Sequence, residues 1–233
     1  MKDYFEWNGL RSTVFGVHVT DQPGIIRAPE RATFTNVPGR SGTLTTLEGA
    51  EVYDDFILPI DCTVRDLSRL NEISTWLCGA GRLVTPEQPG GYYNARVVNQ
   101  IEFAKVLRGR TNRTFTVTFR CHPFWYLSGV ADIVLTESTS IITNPGNIAS
   151  EPVITVTGSG DITLMIGQSI IELEGVDGSI TLDTPLMEAY NGTTPLNEIM
   201  TGEFPVLSPG TNAVSWSGSV SKVKVQPNWR RLL

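Results

Sequence analysis

The chain has 233 residues, 40% of them hydrophobic and 18% charged, with Gly 22 and Pro 14. That balance predicts a folded, turn-rich protein able to bury a sizeable core, as one large β domain or two smaller ones. No apolar run reaches the roughly 18 residues of a membrane-crossing helix, and MKDYFEWNGLRS carries Asp3 and Glu6 without an apolar stretch, so neither a span nor a secretory leader is expected. The cysteines (Cys62, Cys78 and Cys121) are odd in number, far apart and without a CxxC pair, which speaks against a disulfide framework or a zinc site and for reduced thiols in a cytosol-made protein. The net charge of −6 is unevenly shared: residues 1–130 hold 14 Lys+Arg against 13 Asp+Glu, and residues 131–233 hold 4 against 11. This shift predicts two domains, 1–130 and 131–233. The acidic second one speaks against sequence-specific or backbone binding of nucleic acid.

In chain order, FEWNGL carries an Asn-Gly step, a hairpin signal. TVFGVHVTDQ follows as a β-branched run with Val14, Phe15, Val17 and Val19. RAPERATFTNVPGRSGTL reads as a polar loop with a tight turn at Val37-Pro38-Gly39. EVYDDFILPIDCTV alternates Val52, Phe56, Leu58 and Ile60 on one face, with Pro59 forcing an edge or a bulge.

One helix is predicted, over 65–78. Leu67, Leu70, Ile73 and Leu77 form a stripe that Trp76 widens, Thr63 and Asp66 have capping-box spacing, and Gly79 stands where a C′ glycine belongs. The stripe reads as packing against a sheet.

Short strands follow, with turns at Gln88–Gly91 and Arg108–Asn112. They lead to Thr114–Cys121, where Phe115, Val117, Phe119 and Cys121 alternate with Thr114, Thr116, Thr118 and Arg120. His122-Pro123 should end that strand, because proline has no N–H to donate. Phe124, Trp125 and Tyr126 then close the core's edge or cover a domain junction. In the second half, turn signals at Asn144–Gly146, Gly158–Gly160, Gly167-Gln168 and Asp177-Gly178 recur at β-sandwich spacing, and the final strand alternates Val220, Val223 and Val225 imperfectly with Lys222 and Lys224.

No catalytic, cofactor or metal set is recognisable. The two histidines, His18 and His122, sit in strands without a motif, and GGYYN and GRSGT lack the Lys-Ser/Thr and helix start of a phosphate loop. Asp54 and Asp55 are adjacent, so on a strand they face opposite ways. Glu172 and Glu174 share a face inside an Ile/Leu alternation, which makes it a solvated strand face. The densest basic cluster is Arg108, Arg110, Arg113 and Arg120. It reads as a polar hairpin or inter-subunit contact rather than nucleic-acid readout.

The order of motifs resembles one family. FEWNGLRST, VPGRSGTL, YDDFILPIDCTV, ISTWLCGAGRLV, YYNARV and FTVTFRCHPFWY occur in the order of the N-terminal domain of the siphophage distal tail protein (Dit) family. NPGNIASEPVITVTGSGDITLMI, GSITLD, GEFPVLSPGTNAVSWSGSV and PNWRRL resemble that family's galectin-like C-terminal domain.

The resemblance implies a mainly β protein. Its N-terminal domain would be a β-barrel- or sandwich-like fold related to tail-tube proteins, with one helix, followed by a galectin-like β-sandwich. It also implies a structural role without enzymatic activity or cofactor: a homohexameric ring in the virion at the tail tip, assembled in the host cytoplasm. The partners implied are the tail tube protein, the tail-associated hub protein, the tape measure protein in the channel, and receptor-binding or other baseplate proteins on the C-terminal domain.

The family's ring domain includes a long hairpin. Val97–Arg120 is the candidate for it, with Arg108, Arg110 and Arg113 as inter-subunit contacts. Galectins bind sugar through a His, Asn, Arg and Trp set, and the second half here has no histidine. That departure makes the second domain a docking platform rather than a lectin. The alternative functions are a carbohydrate-binding adhesion module that stacks sugar on Trp216 or on Phe124–Tyr126, and a polysaccharide-degrading enzyme.

Overall fold

The two strongest alternating runs lie side by side in the first sheet. The computed structural model describes residues 3–22, 24–49, 51–105 and 112–233. The chain divides into two units. One runs to Ser128 and takes back Leu232–Leu233; the other is Gly129–Arg231.

The first unit contains β1 (Glu6–Trp7), β2 (Leu10–Arg11), β3 (Val17–Asp21), β4 (Ala32–Asn36), β5 (Thr43–Leu47), β6 (Phe56–Val64), helix α1 (Leu70–Trp76), β7 (Ala80–Val84), β8 (Gly91–Val97), β9 (Ala104–Lys105) and β10 (Arg113–Leu127). Its main sheet is antiparallel in the order β2-β1-β7-β8-β10-β6-β3, with β9 on β10, while β4 and β5 form a separate pair.

Along β6, Phe56, Leu58, Ile60, Cys62 and Val64 point inward. Along β10, Phe115, Val117, Phe119 and Cys121 do the same. The register sets Phe115 opposite Cys62 and Phe119 opposite Leu58, so one apolar face spans both strands. Thr118 faces Pro59. Its N–H goes to the Asn99 side chain and its carbonyl accepts from Val98 N–H, both away from β6. The missing N–H of Pro59 therefore points to the side that β3 leaves open, since β3 pairs only with Asp61–Val64.

The Asn-Gly hairpin forms as expected. Asn8 and Gly9 both have positive φ, 52° and 79°, and link Trp7 to Leu10. Asn8 also accepts from Arg82 N–H at 3.0 Å through its side chain, which ties the hairpin to β7.

Three local expectations need correction. The helix is shorter than 65–78: a 3₁₀ turn, Leu67–Arg69, leads into the seven residues of α1. Thr63 belongs to β6, where its hydroxyl donates to Arg113 O, and Asp66 caps alone by accepting from Ser68 N–H at 3.0 Å. The apolar stripe still does its work. Ile73 and Leu77 are buried, and Trp76 stacks on Phe5 at 5.4 Å while its indole N–H donates to Trp7 O.

Ser12–Phe15 is a 3₁₀ turn rather than strand, because Gly16 at φ 70° closes it onto Ser12 and Thr13 carbonyls and buried Ser12 accepts from Phe5 N–H. Finally, β10 does not end at Pro123. It runs on to Leu127 because the β8 register shifts between Cys121 and Trp125, a bulge that asks no N–H of Pro123, and the β6 partner has already ended at Cys121.

The second unit contains β11 (Ile133–Leu135), β12 (Ser140–Asn144), β13 (Val153–Ile166), β14 (Ser169–Asp183), β15 (Glu188–Asn191), β16 (Thr194–Pro195), β17 (Met200–Gly202) and β18 (Gly210–Gln226). Its sheet follows β11-β18-β13-β14-β15-β16, with β12 also on β18 and β17 also on β14. Gly158–Gly160 and Asp177-Gly178 are not chain-reversing turns. They lie opposite each other inside long strands. A Cβ on Gly158 would sit 2.3 Å from Ser219 O, and one on Gly218 would sit 2.4 Å from Asp161 O, so the three strands approach at a row of glycines and bend there.

Each long strand thus serves two layers. The N-terminal half of β18 pairs with β12 and its C-terminal half with β11. Buried Ile142, Leu164, Ile171 and Val214 come from one half, and Ile154, Ile180, Leu182 and Val223 from the other. The imperfect alternation of the last strand is a bulge: Thr157 pairs with Lys222 and Gly158 with Val220, which leaves Ser221 over. Among the described residues, no helix is long and apolar enough to cross a membrane.

Candidate functional site

The expected contact residues fall in different places. Arg108 and Arg110 lie outside the described residues. Arg113 opens β10, half-buried in the ladder, with Val64 opposite on β6 and Lys105 on β9. Between Val97 and β9 the chain runs beside β10 and is pinned by Asn99, whose side chain donates to Thr116 O at 2.7 Å and accepts from Thr118 N–H at 2.7 Å.

A different hairpin stands free of the main sheet. β4 and β5 pair only with each other, from Ala32–Leu47 to Asn36–Thr43, and nearly every residue in them is exposed. Its tip is VPGRSG, with Gly39 and Gly42 both at φ 79° and Arg40 N–H donating to Val37 O. Its base is held by Arg31. The Arg31 guanidinium meets Asp54 at 2.7 Å, and its backbone takes bonds to Val52 O and from Glu48 N–H.

A two-stranded ribbon has no core of its own and is marginal in water. This one nevertheless carries large apolar side chains into solvent: Phe34 is 67% exposed, Leu44 44% and Leu47 56%. These residues were missed in the sequence because TFTN and TLTTL alternate threonine with apolar residues around a turn, which resembles a polar loop when neither face is buried. The alternation itself was the available signal.

The remaining candidates take structural places. Asp54 pairs with Arg31, and Asp55 with Arg120 at 2.9 Å, so the adjacent carboxylates do point apart. Glu172 and Glu174 are both exposed on β14. Among the described residues, no group of three or more His, Cys, Asp and Glu side chains could hold a metal ion. Phe124 packs edge-on against Tyr53 at 5.9 Å, Tyr126 stacks on Tyr92 at 5.6 Å, and Trp125 joins the first unit's core. Trp125 fits there because Gly91 has no side chain: a Cβ would lie 2.3 Å from its ring.

In the second unit Trp229 is buried, and Trp216 is half-buried with its backbone exchanging bonds with Ser138. Burial pushes the Cys62 and Cys121 thiols up to about 12, which leaves them protonated and inert at neutral pH. Cys78 is exposed. Burial likewise raises the Tyr93 hydroxyl to about 12; its hydroxyl donates to Gln88 at 2.7 Å.

No protein-family model matches the sequence, and no curated protein matches it. Among solved structures, the chain is similar to SPP1 Dit, described as a paradigm of the hub adsorption apparatus in phages infecting Gram-positive bacteria. The two share 15% sequence identity with a TM-score of 0.71, over 97% of this chain and 98% of that one. The chain therefore has a Dit-like, mainly β fold.

Proposed function

We propose that the chain is a structural protein of a phage tail tip, a distal tail hub whose first units associate into a closed homohexameric ring. One observation carries this reading. The fold match to a hub protein covers 97% of this chain and 98% of that one, and so exceeds a likeness of one common β-sandwich to another. The free-standing hairpin supports it. An apolar ribbon held out from its own sheet fits a neighbour's surface, and a contact between two different patches closes into a ring. Arg113, with Arg108 and Arg110, belongs to the same proposal as inter-subunit contacts.

In this role the ring joins the tail tube protein on one side to a tail-associated hub protein on the other. The tape measure protein occupies its channel, and the second unit carries receptor-binding or other baseplate proteins. The protein then ends in the virion after assembly in the host cytoplasm. Light scattering of the purified chain over a concentration series, with negative-stain images of the same fractions, tests the reading. A ring of six times 25.5 kDa, about 153 kDa, is expected. A monomer both alone and with a tail-tube partner overturns it.

A further inference from the structure

A second surface lies on the outward face of the main sheet. Ala80 on β7 is opposite Arg96 on β8, Arg96 is opposite Arg120 on β10, and Arg120 is opposite Ile57 on β6. The four residues form one row across four strands, and all four are exposed. Two like charges directly opposed in a ladder are destabilising. Arg120 shares its charge with Asp55, but Arg96 has no hydrogen-bond or ion-pair partner among the described residues. Ala80, Arg96 and Arg120 of this row line a depression of about 560 Å³ together with Asp55, Asn94 and His122.

The chemistry of the row narrows its ligand. Among the described residues Arg96 offers an unpaired guanidinium fork for an oxyanion, and Arg120 beside it in the register already holds Asp55. Ile57, 50% exposed, and Ala80 bracket them with apolar surface. Three strand spacings make the row about 15 Å long, the reach of four or five extended residues. A surface that tracks a nucleic-acid backbone would carry positive charge along its whole length. This one ends in apolar residues, on a chain of net charge −6. Carboxylates flanked by apolar side chains fit it better.

We propose that this row binds an extended acidic segment of a partner protein, with one or two carboxylates on Arg96 and Arg120 and apolar residues over Ile57 and Ala80. Arg96 is the principal charge contact, because nothing among the described residues neutralises it. The inference stands apart from the ring: it needs neither the hairpin nor a hexamer.

The test uses the full chain and a fluorescein-labelled peptide Val-Thr-Glu-Thr-Glu-Thr-Val, whose valines and glutamates share one face when extended, read by fluorescence anisotropy, with a 20-mer of thymidine as competitor. The wild type should bind the peptide, less tightly as salt rises. Arg96→Glu should weaken binding about tenfold or more, since it removes a charge-assisted contact and adds repulsion. The same substitution should raise Tm by roughly 1–3 °C, because the new carboxylate faces Arg120. Lost binding in a protein at least as stable as the wild type cannot be a folding defect. Should Arg96→Glu unfold the chain, Arg96→Gln gives the same reading without a new charge. No peptide binding, equal binding by the Arg96 variants, or displacement of the peptide by the oligonucleotide overturns the proposal.

Discussion

Replacing Phe34 by serine should dissolve the proposed ring while leaving the subunit folded. Phe34 is 67% exposed on β4, so roughly two-thirds of the ~1.5–3 kcal/mol gained by burying a large apolar side chain is still available to a neighbour, about 1–2 kcal/mol per contact. A closed ring of six repeats that contact six times. The assembly therefore loses about 6–12 kcal/mol, some four to nine orders of magnitude in its formation constant. The subunit loses almost nothing, because a surface substitution away from packed features usually changes stability by about 0.5 kcal/mol or less. Light scattering should find wild type near 153 kDa, six times 25.5 kDa, and Phe34→Ser at one times that mass. Their thermal unfolding should coincide. A Phe34→Ser ring of unchanged mass at every concentration would refute the reasoning and return the contact to the basic turn.

Three further outcomes test the packing. Gly91→Ala places a Cβ 2.3 Å from both the Trp125 ring and Tyr126 O; relief of that overlap should cost about 1–3 kcal/mol and lower Tm by several degrees in a calorimetric scan, with no loss expected only if the bulge after Cys121 is absent. Asn144→Ala should cost about 3 kcal/mol in urea unfolding, because the buried amide donates to Ile148 O and Leu207 O and accepts from Gly146 N–H; a change under about 0.5 kcal/mol would show that water replaces it. Iodoacetamide at pH 8 should add one group to the native protein, at Cys78, and three after denaturation, counted by mass spectrometry. Rapid native labelling of Cys62 or Cys121 would contradict thiols held near 12 by burial.

What could be read from the sequence was what depends on neighbours in sequence. The alternation in β6 and β10 and the Asn8-Gly9 turn need a few residues each, and they appear where expected. The helix stripe was legible, but its start was not. Thr63 looks like a cap until β6 claims it for the ladder with Arg113. Pro123 and the glycines at 158–160 signal a break in any local reading; tertiary pairing turned one into a bulge and the others into bends. The surfaces were harder still. Arg96 and Arg120 become neighbours only through the register of β8 and β10, which no local pattern reports. The β4–β5 hairpin has alternation but no buried face, so its strands carry little contrast between apolar and polar positions.

Both proposed surfaces are places where the sequence departs from the rules it follows elsewhere. In β10, from Thr114 to Cys121, apolar side chains go inward and threonines outward. In β4 and β5, Phe34 and Leu44 go outward with no layer above them. On the sheet's open face, two arginines stand opposed where Arg and Glu would attract. The fold alone gives no reason for either choice. Threonine for Phe34 suits an exposed strand as well, and glutamate for Arg96 suits this one better. Departures that leave the subunit no more stable than its simpler alternatives mark surfaces shaped by something outside the subunit. The two substitutions therefore make a joint test: stability should hold or rise in both while association falls, the hairpin change lowering ring mass and the arginine change lowering peptide affinity. If either substitution destabilises the isolated subunit as strongly as it weakens its contact, that residue serves the fold, and its surface loses its claim to a partner.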